Sequence, residues 1–326
     1  MEPSKPELEL SRSRKMLRTA LGPLLLARLE DPGVAEVMLN PDGRVWVDRF
    51  EGGLAEAGLV LSSADGERIL RLVAHHVGAE IHAGRPRLAA ELPGTGERFE
   101  GLMPPLVAAP TFSLRKPASR VFPLADYVAV GVMSAAQAEL LAGSVRGRDN
   151  ILVVGPTSSG KTTLVNALLA EVAAGGDRVV MIEDVRELQC AAPNLVALRT
   201  GEGIATLGEL VRSSLRLRPD RIIIGEVRGA EALDLIKAWG TGHPGGVGTL
   251  HAGSSLGALL RLEQLIQEAV VTVPRALIAD TVDLIAVLAG RGRQRRLVEL
   301  SRLTGLTADG AYQLTPAETP DLGEIS

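Results

Sequence analysis

The chain has 326 residues, 46% of them hydrophobic, and a formal net charge of −4. That length exceeds what one small core accommodates and sets two domains as the expectation, while the mild acidity excludes a global pull toward nucleic acid or anionic lipid. One cysteine, Cys190, excludes an intrachain disulfide and a cysteine-rich zinc site, fits a reducing cytoplasm, and itself reads as a small apolar residue.

The amino terminus mixes Glu2, Lys5, Glu7, Glu9, Arg12, Arg14 and Lys15 and has no apolar stretch of a secretion signal. The first predicted elements are Val37-Met38-Leu39-Asn40 and Arg44-Val45-Trp46-Val47, a hairpin around the turn Pro41-Asp42-Gly43. Ile69, Leu70, Leu72, Val73, His76 and Val77 fall near helical spacing, so 65–77 is predicted as a helix capped by Ser62 or Ser63. Short strands are predicted at 88–92, 98–103 and 111–115, between Pro/Gly turns. Residues 1–120 are therefore expected to form a smaller α+β domain, with 121–133 as an interdomain linker.

Residues 134–326 read as α/β. Ser134 and Gln137 make a capping-box pattern for a helix running toward Val145, and Thr206 with Glu209 does the same for a helix over 206–217. Strands are predicted at 151–154, 179–183, 196–199, 222–225 and 247–250. Strand and helix in alternation imply a parallel sheet covered by helices, with ligands at the carboxyl ends of the strands. The longest stretch free of Asp, Glu, Lys and Arg, 238–260, is glycine-rich and holds a proline and two histidines, so it is no membrane span. Arg291-Gly292-Arg293-Gln294-Arg295-Arg296 reads as an exposed hairpin turn between 284–288 and 297–300, and the segment after Thr315 is expected to be disordered.

Gly155, Pro156, Thr157, Ser158, Ser159, Gly160, Lys161 and Thr162, followed by Thr163, fit the phosphate-loop pattern Gly-x4-Gly-Lys-Ser/Thr between a strand and a helix. Such a loop curls its N–H groups around phosphate oxygens at the positive end of a helix. Lys161 is expected to reach the β/γ-phosphates of ATP and Thr162 to hold Mg2+. The run Arg221-Ile222-Ile223-Ile224-Gly225-Glu226 ends a buried strand on a carboxylate, which makes Glu226 the candidate to polarise the attacking water. Glycine stands at 225, where a Walker-B aspartate usually lies, so Glu183 and Asp184 at the preceding strand end are expected to complete the metal shell. The glycine-rich segment 241–252 has the composition of a mobile loop reporting on a nearby phosphate. Its His243 and His251 have neither helical spacing nor a nearby cysteine, so they are no metal pair.

In this order, phosphate loop, acidic box, Walker B and histidine box, the residues resemble the secretion ATPases of type II and type IV systems, with long matches at 215–228 and 242–252. Segments 37–48, 73–78, 97–101 and 111–117 are most similar to the TrbB-type conjugative transfer ATPases. The resemblance implies a RecA-like P-loop NTPase domain after the amino-terminal domain, and an ATPase that forms a hexameric homo-oligomer. It also implies a peripheral place on the cytoplasmic face of the inner membrane, beside inner-membrane components of a secretion or conjugation apparatus. It gives His251 the role of γ-phosphate sensor, places Glu183 with Glu226 and Lys161 in catalysis, and puts Arg98 and Arg115 on phosphates held between the two domains. Arginine suits that task through bidentate, charge-assisted bonds. The chain departs from the family at Ser158, where a glycine is usual; a positive φ there would cost of order 1 kcal/mol.

Three other functions compete. A pilus or type II assembly ATPase often carries a four-cysteine zinc element, which this chain cannot build. A nucleic-acid-translocating hexamer needs stacking platforms, and four Phe, two Trp and two Tyr offer none, so no direct sequence-specific nucleic-acid binding is expected. A non-hydrolysing scaffold has no use for both Lys161 and Glu226.

Overall fold

The computed structural model describes residues 5–49, 52–92, 96–117, 120–201 and 203–317. The chain divides into two compact units, Met1–Ser119 and Arg120–Ser326.

The first unit runs α1 (Lys5–Glu30), β1 (Val34–Leu39), β2 (Arg44–Arg49), β3 (Gly53–Val60), α2 (Ser63–His76), β4 (Arg87–Glu91), β5 (Arg98–Leu102) and β6 (Thr111–Arg115). The helical run of α1 breaks at Gly22, φ 71° and ψ 165°, just before Pro23, whose ring and missing N–H oppose an uninterrupted turn. Ser62 is the cap of α2, its hydroxyl accepting the Asp65 N–H at 3.1 Å. All six strands pair antiparallel, in the order β3-β2-β1-β6-β5-β4. Their alternation sends Val37, Leu39, Phe99, Phe112 and Leu114 into one core with Leu21 and Leu25 of α1 and Ile69, Leu70 and Val73 of α2.

The second unit opens with α3 (Leu124–Ala129) and α4 (Ala135–Arg146). There follow β7 (Ile151–Val154), α5 (Lys161–Ala173), β8 (Arg178–Glu183), β9 (Asn194–Arg199), α6 (Leu207–Ser214), β10 (Arg221–Ile224), α7 (Glu231–Gly240) and β11 (Val247–Leu250). The unit closes with α8 (Ser255–Gln267), α9 (Arg275–Thr281), β12 (Leu284–Ala289), β13 (Arg296–Leu306) and β14 (Tyr312–Pro316). Both capping boxes form, at α4 and at α6. Residues 121–133, expected as a linker, contain α3, and Leu124, Tyr127, Val132 and Met133 are buried in this unit's core.

Eight strands lie in the order β14-β13-β12-β7-β11-β10-β8-β9. From β12 to β9 they run parallel, and β13 and β14 extend one side antiparallel. Helices cover both faces, which is why the central strands are apolar without alternation. Ile151 and Val153 face the layer of α3, α4 and α5, whereas Leu152 and Val154 face that of α6 to α9. Strand β14 includes Thr315 and Pro316; the rest of the segment expected to be disordered, from 318 on, lies outside the described residues. Among the described residues no helix is long and apolar enough to cross a membrane.

Candidate active site

The phosphate-loop residues join the carboxyl end of β7 to the amino end of α5. A methyl group at Gly155 would stand 2.5 Å from the Leu288 carbonyl oxygen of β12, so this position admits no side chain. Ser158 adopts φ 64° and Gly160 φ 94°; the serine thus carries the left-handed strain anticipated from the sequence, of order 1 kcal/mol. The Ser159 hydroxyl is buried without a partner, while Pro156 and Thr157 are exposed. Lys161 is only 8% exposed. Its Nζ donates to the Gly155 and Pro156 carbonyls at 3.0 and 3.2 Å and lies 3.2 Å from His251 Nδ1. An ammonium only donates, so Nδ1 accepts and the imidazole proton resides on Nε2. That Nε2 is 2.5 Å from Glu226 Oε1. The ends of β7, β10 and β11 thereby bring Lys161, Glu226 and His251 into one continuous series.

Glu226 also pairs with Arg228. Burial pushes its carboxyl up, but the Arg228 hydrogen bond and charge, joined by the charge of Lys161, outweigh that and hold it below the ordinary carboxylate range. It is ionised at neutral pH. Next to it, a methyl at Gly225 would stand 3.1 Å from Glu183 Cβ, which leaves an aspartate at the usual Walker-B position little room.

Glu183 and Asp184 each have partners within the protein. Glu183, 4% exposed, accepts the N–H groups of Glu187 and Leu188 at 2.8 and 3.0 Å through one oxygen. Burial raises its carboxyl, and these bonds offset that only in part. Asp184 accepts from the Thr200 hydroxyl at 2.9 Å. The loop that Glu183 folds is pinned to α5 by Asn166, which donates to the Glu187 carbonyl at 3.0 Å and accepts the Gln189 N–H at 2.8 Å. The result sets Glu187 Oε2 3.0 Å from the Thr162 hydroxyl. Sequence reasoning missed Glu187, although it closes the same acidic run, Glu183-Asp184-Val185-Arg186-Glu187. A hydroxyl and a carboxylate so juxtaposed are hard oxygen donors of the kind that would hold Mg2+. Among the described residues no three His, Cys, Asp or Glu side chains gather as a metal site of their own.

Residues 87–299 match the family described as type II/IV secretion system protein. The chain belongs to that family. The conjugal transfer protein TrbB of Rhizobium radiobacter is 46% identical, over 89% of this chain and 90% of its own. The type IV secretion system protein PtlH of Bordetella pertussis is 36% identical, over 84% and 92% respectively. Among solved structures, the pilus retraction motor PilT with bound ADP is similar over 91% of this chain and 83% of that one, with a TM-score of 0.61 at 20% identity. That last likeness is one of fold, a smaller amino-terminal domain before a RecA-like P-loop domain, as the sequence led us to expect.

In this secretion-system protein the histidine box divides. His251 directly follows β11 in the site, whereas His243 precedes the strand and contacts the Pro219 carbonyl at 2.9 Å. Of the glycines between, in the segment expected to form a mobile loop, Gly246 and Gly248 are closely packed. A methyl at Gly246 would fall 2.1 Å from the indole Nε1 of Trp239, and one at Gly248 2.7 Å from Ile224 Cγ2. Trp239 is fully buried and donates to the Ile222 carbonyl at 2.9 Å. In the first unit, Arg98 and Arg115 oppose each other across β5 and β6, half-buried on the side away from the core. Glu91 and Glu36 continue that cross-strand row on either flank, offsetting the repulsion of two directly opposed cations.

Proposed function

We propose that this secretion-system protein is the ATP-hydrolysing motor of a conjugative type IV secretion apparatus. It works as a closed homo-oligomer, a hexamer by resemblance to its family, at the cytoplasmic face of the inner membrane against membrane components of that apparatus. As a P-loop member of the family it is an ATPase. The 46% identity to a conjugal transfer protein supports the conjugative assignment, and the continuous series of Lys161, His251 and Glu226 carries the hydrolytic one.

The loop N–H groups and Lys161 bind the phosphates at the positive end of α5. Glu226, already ionised, accepts the proton of the water that attacks the γ-phosphorus. His251, between Lys161 and Glu226, registers whether the lysine is engaged by phosphate. Thr162 and Glu187 would hold Mg2+, which when bound neutralises charge on the phosphate oxygens. The opposed Arg98 and Arg115 bind nucleotide phosphate as a pair, and replacing either by alanine lowers nucleotide affinity.

Two variants test the reading in a phosphate-release assay with parallel ATP titration. Lys161→Ala is expected to lose binding and hydrolysis together, and Glu226→Gln to bind ATP without cleaving it. Wild-type turnover in either overturns the assignment of that residue. Light scattering with and without a non-hydrolysable ATP analogue tests the ring, since a ligand that binds the assembled state better favours it. A monomer under both conditions that hydrolyses ATP at full rate removes the ring from the mechanism.

A further inference from the structure

The basic run 291–296 was expected to be an exposed turn, and among its arginines the structure departs from that at one. Strand β12 is the parallel neighbour of β7, so the connection from β12 to β13 rises at the same carboxyl edge as the phosphate loop. Arg291 and Arg293 are exposed there, but Arg295 folds back onto the loop. A methyl group at Gly160 would lie 2.8 Å from Arg295 Nε, 2.9 Å from Cζ and 3.1 Å from Cδ. The guanidinium therefore rests against the residue that caps α5. Its Nε is buried and makes no hydrogen bond, and among the described residues it has no carboxylate partner.

This placement is unfavourable for a residue that only packs. The first turn of a helix carries partial positive charge, and Lys161 adds a whole one; a second cation there raises the potential further unless an anion is present. A buried donor without an acceptor adds its own desolvation cost. Both costs vanish if a phosphate group sits beside Arg295, because the planar guanidinium presents donors in the geometry that phosphate oxygens accept. We propose that Arg295 is a nucleotide-binding residue, supplied to the phosphate loop by the β12–β13 turn of the same subunit and bonding a phosphate oxygen of the nucleotide. The proposal rests on the phosphate-loop reading above and adds a phosphate ligand from outside the loop.

Calorimetric titration of the full chain with ATP, ADP and tripolyphosphate, in wild type, Arg295→Ala, Arg295→Lys and Lys161→Ala, tests it. Arg295→Ala is expected to weaken all three ligands about tenfold or more, the usual worth of a charge-assisted hydrogen bond. Arg295→Lys is expected to recover part of that loss, because charge returns without the planar donor set. Thermal unfolding without ligand provides the readout of packing. A lowered melting temperature in Arg295→Ala with wild-type affinities would make the residue a packing group and overturn the proposal. Weaker ATP binding with unchanged tripolyphosphate binding would move the contact to the base and overturn the phosphate assignment. Failure of wild type to bind ATP, or wild-type binding by Lys161→Ala, would instead strike the phosphate-loop reading itself.

Discussion

Thr162 meets Glu187 rather than Glu183 or Asp184 because backbone groups claim the first of these and a threonine the second. Glu187→Gln keeps the shape but loses the charge of a metal-holding oxygen. It is expected to raise the Mg2+ concentration for half-maximal hydrolysis about tenfold, in the range typical of a lost supporting group. A Mg2+ titration with unchanged midpoint would take Glu187 out of the metal shell. Glu226 gives a second residue-scale prediction. Its folded-state pKa lies below the unfolded one, so ionisation favours the fold. That contribution is complete above the unfolded value of about 4.3 and disappears as pH falls through the lower folded value. The stability difference between wild type and Glu226→Gln should therefore shrink between pH 7 and pH 3; a difference independent of pH would mean that the carboxylate's charge is not what Arg228 holds. The phosphate loop and Glu226 were legible in the sequence, since each is a contiguous pattern, and His251 through the family likeness its segment carries. Glu187 and Arg295 were not, because Asn166 on α5 places one and the β12–β13 turn the other, and no local spacing encodes either contact.

The elements of the sheet are held by a device that the sequence conceals. Arg221, 3% exposed at the first position of β10, donates to Asp177 at 2.6 Å and to the Val145 carbonyl at 2.9 Å; Arg148 shares the same aspartate. A strand was expected to start at Ile222, since a buried arginine looks like a boundary residue until its partners are known. Asp177→Asn leaves two guanidinium groups facing a neutral amide. Breaking such a buried pair costs about 3 kcal/mol or more, measurable by urea unfolding at constant m-value. A loss under about 1 kcal/mol would mean that solvent already screens the pair. Amphipathic α2 and the two capping boxes were readable from residues alone. The weak amphipathicity of α1 hides it, and β3, Gly53-Leu54-Ala55-Glu56-Ala57-Gly58-Leu59-Val60, is a largely exposed edge strand without a clean apolar alternation.

At the scale of the whole molecule, two sheets with separate cores predict a calorimetric trace of more than one transition rather than two-state melting. Asp177→Asn marks the transition of the second unit by lowering it. ADP at a hundredfold excess over its Kd is expected to raise that marked transition, by about 2.7 kcal/mol of added stability. A marked transition that ignores ADP would contradict the phosphate loop as the nucleotide site. The strand order has a consequence for how the protein is made. Ile151 of β7 pairs with Val247 on one side and Leu284 on the other, so both neighbours of the phosphate-loop strand are synthesised long after it. The first unit can close its sheet once residue 115 has left the ribosome, whereas the nascent nucleotide site must wait for β12. Until β11 emerges the apolar strand Ile151-Leu152-Val153-Val154 has no neighbour in its sheet, and until β12 emerges it has one only, so the growing chain is most exposed over this stretch to chaperone capture and to wrong pairings. A stalled nascent chain that presents residues up to 250 is expected to bind no ATP, and one that presents β12 and β13 to acquire it.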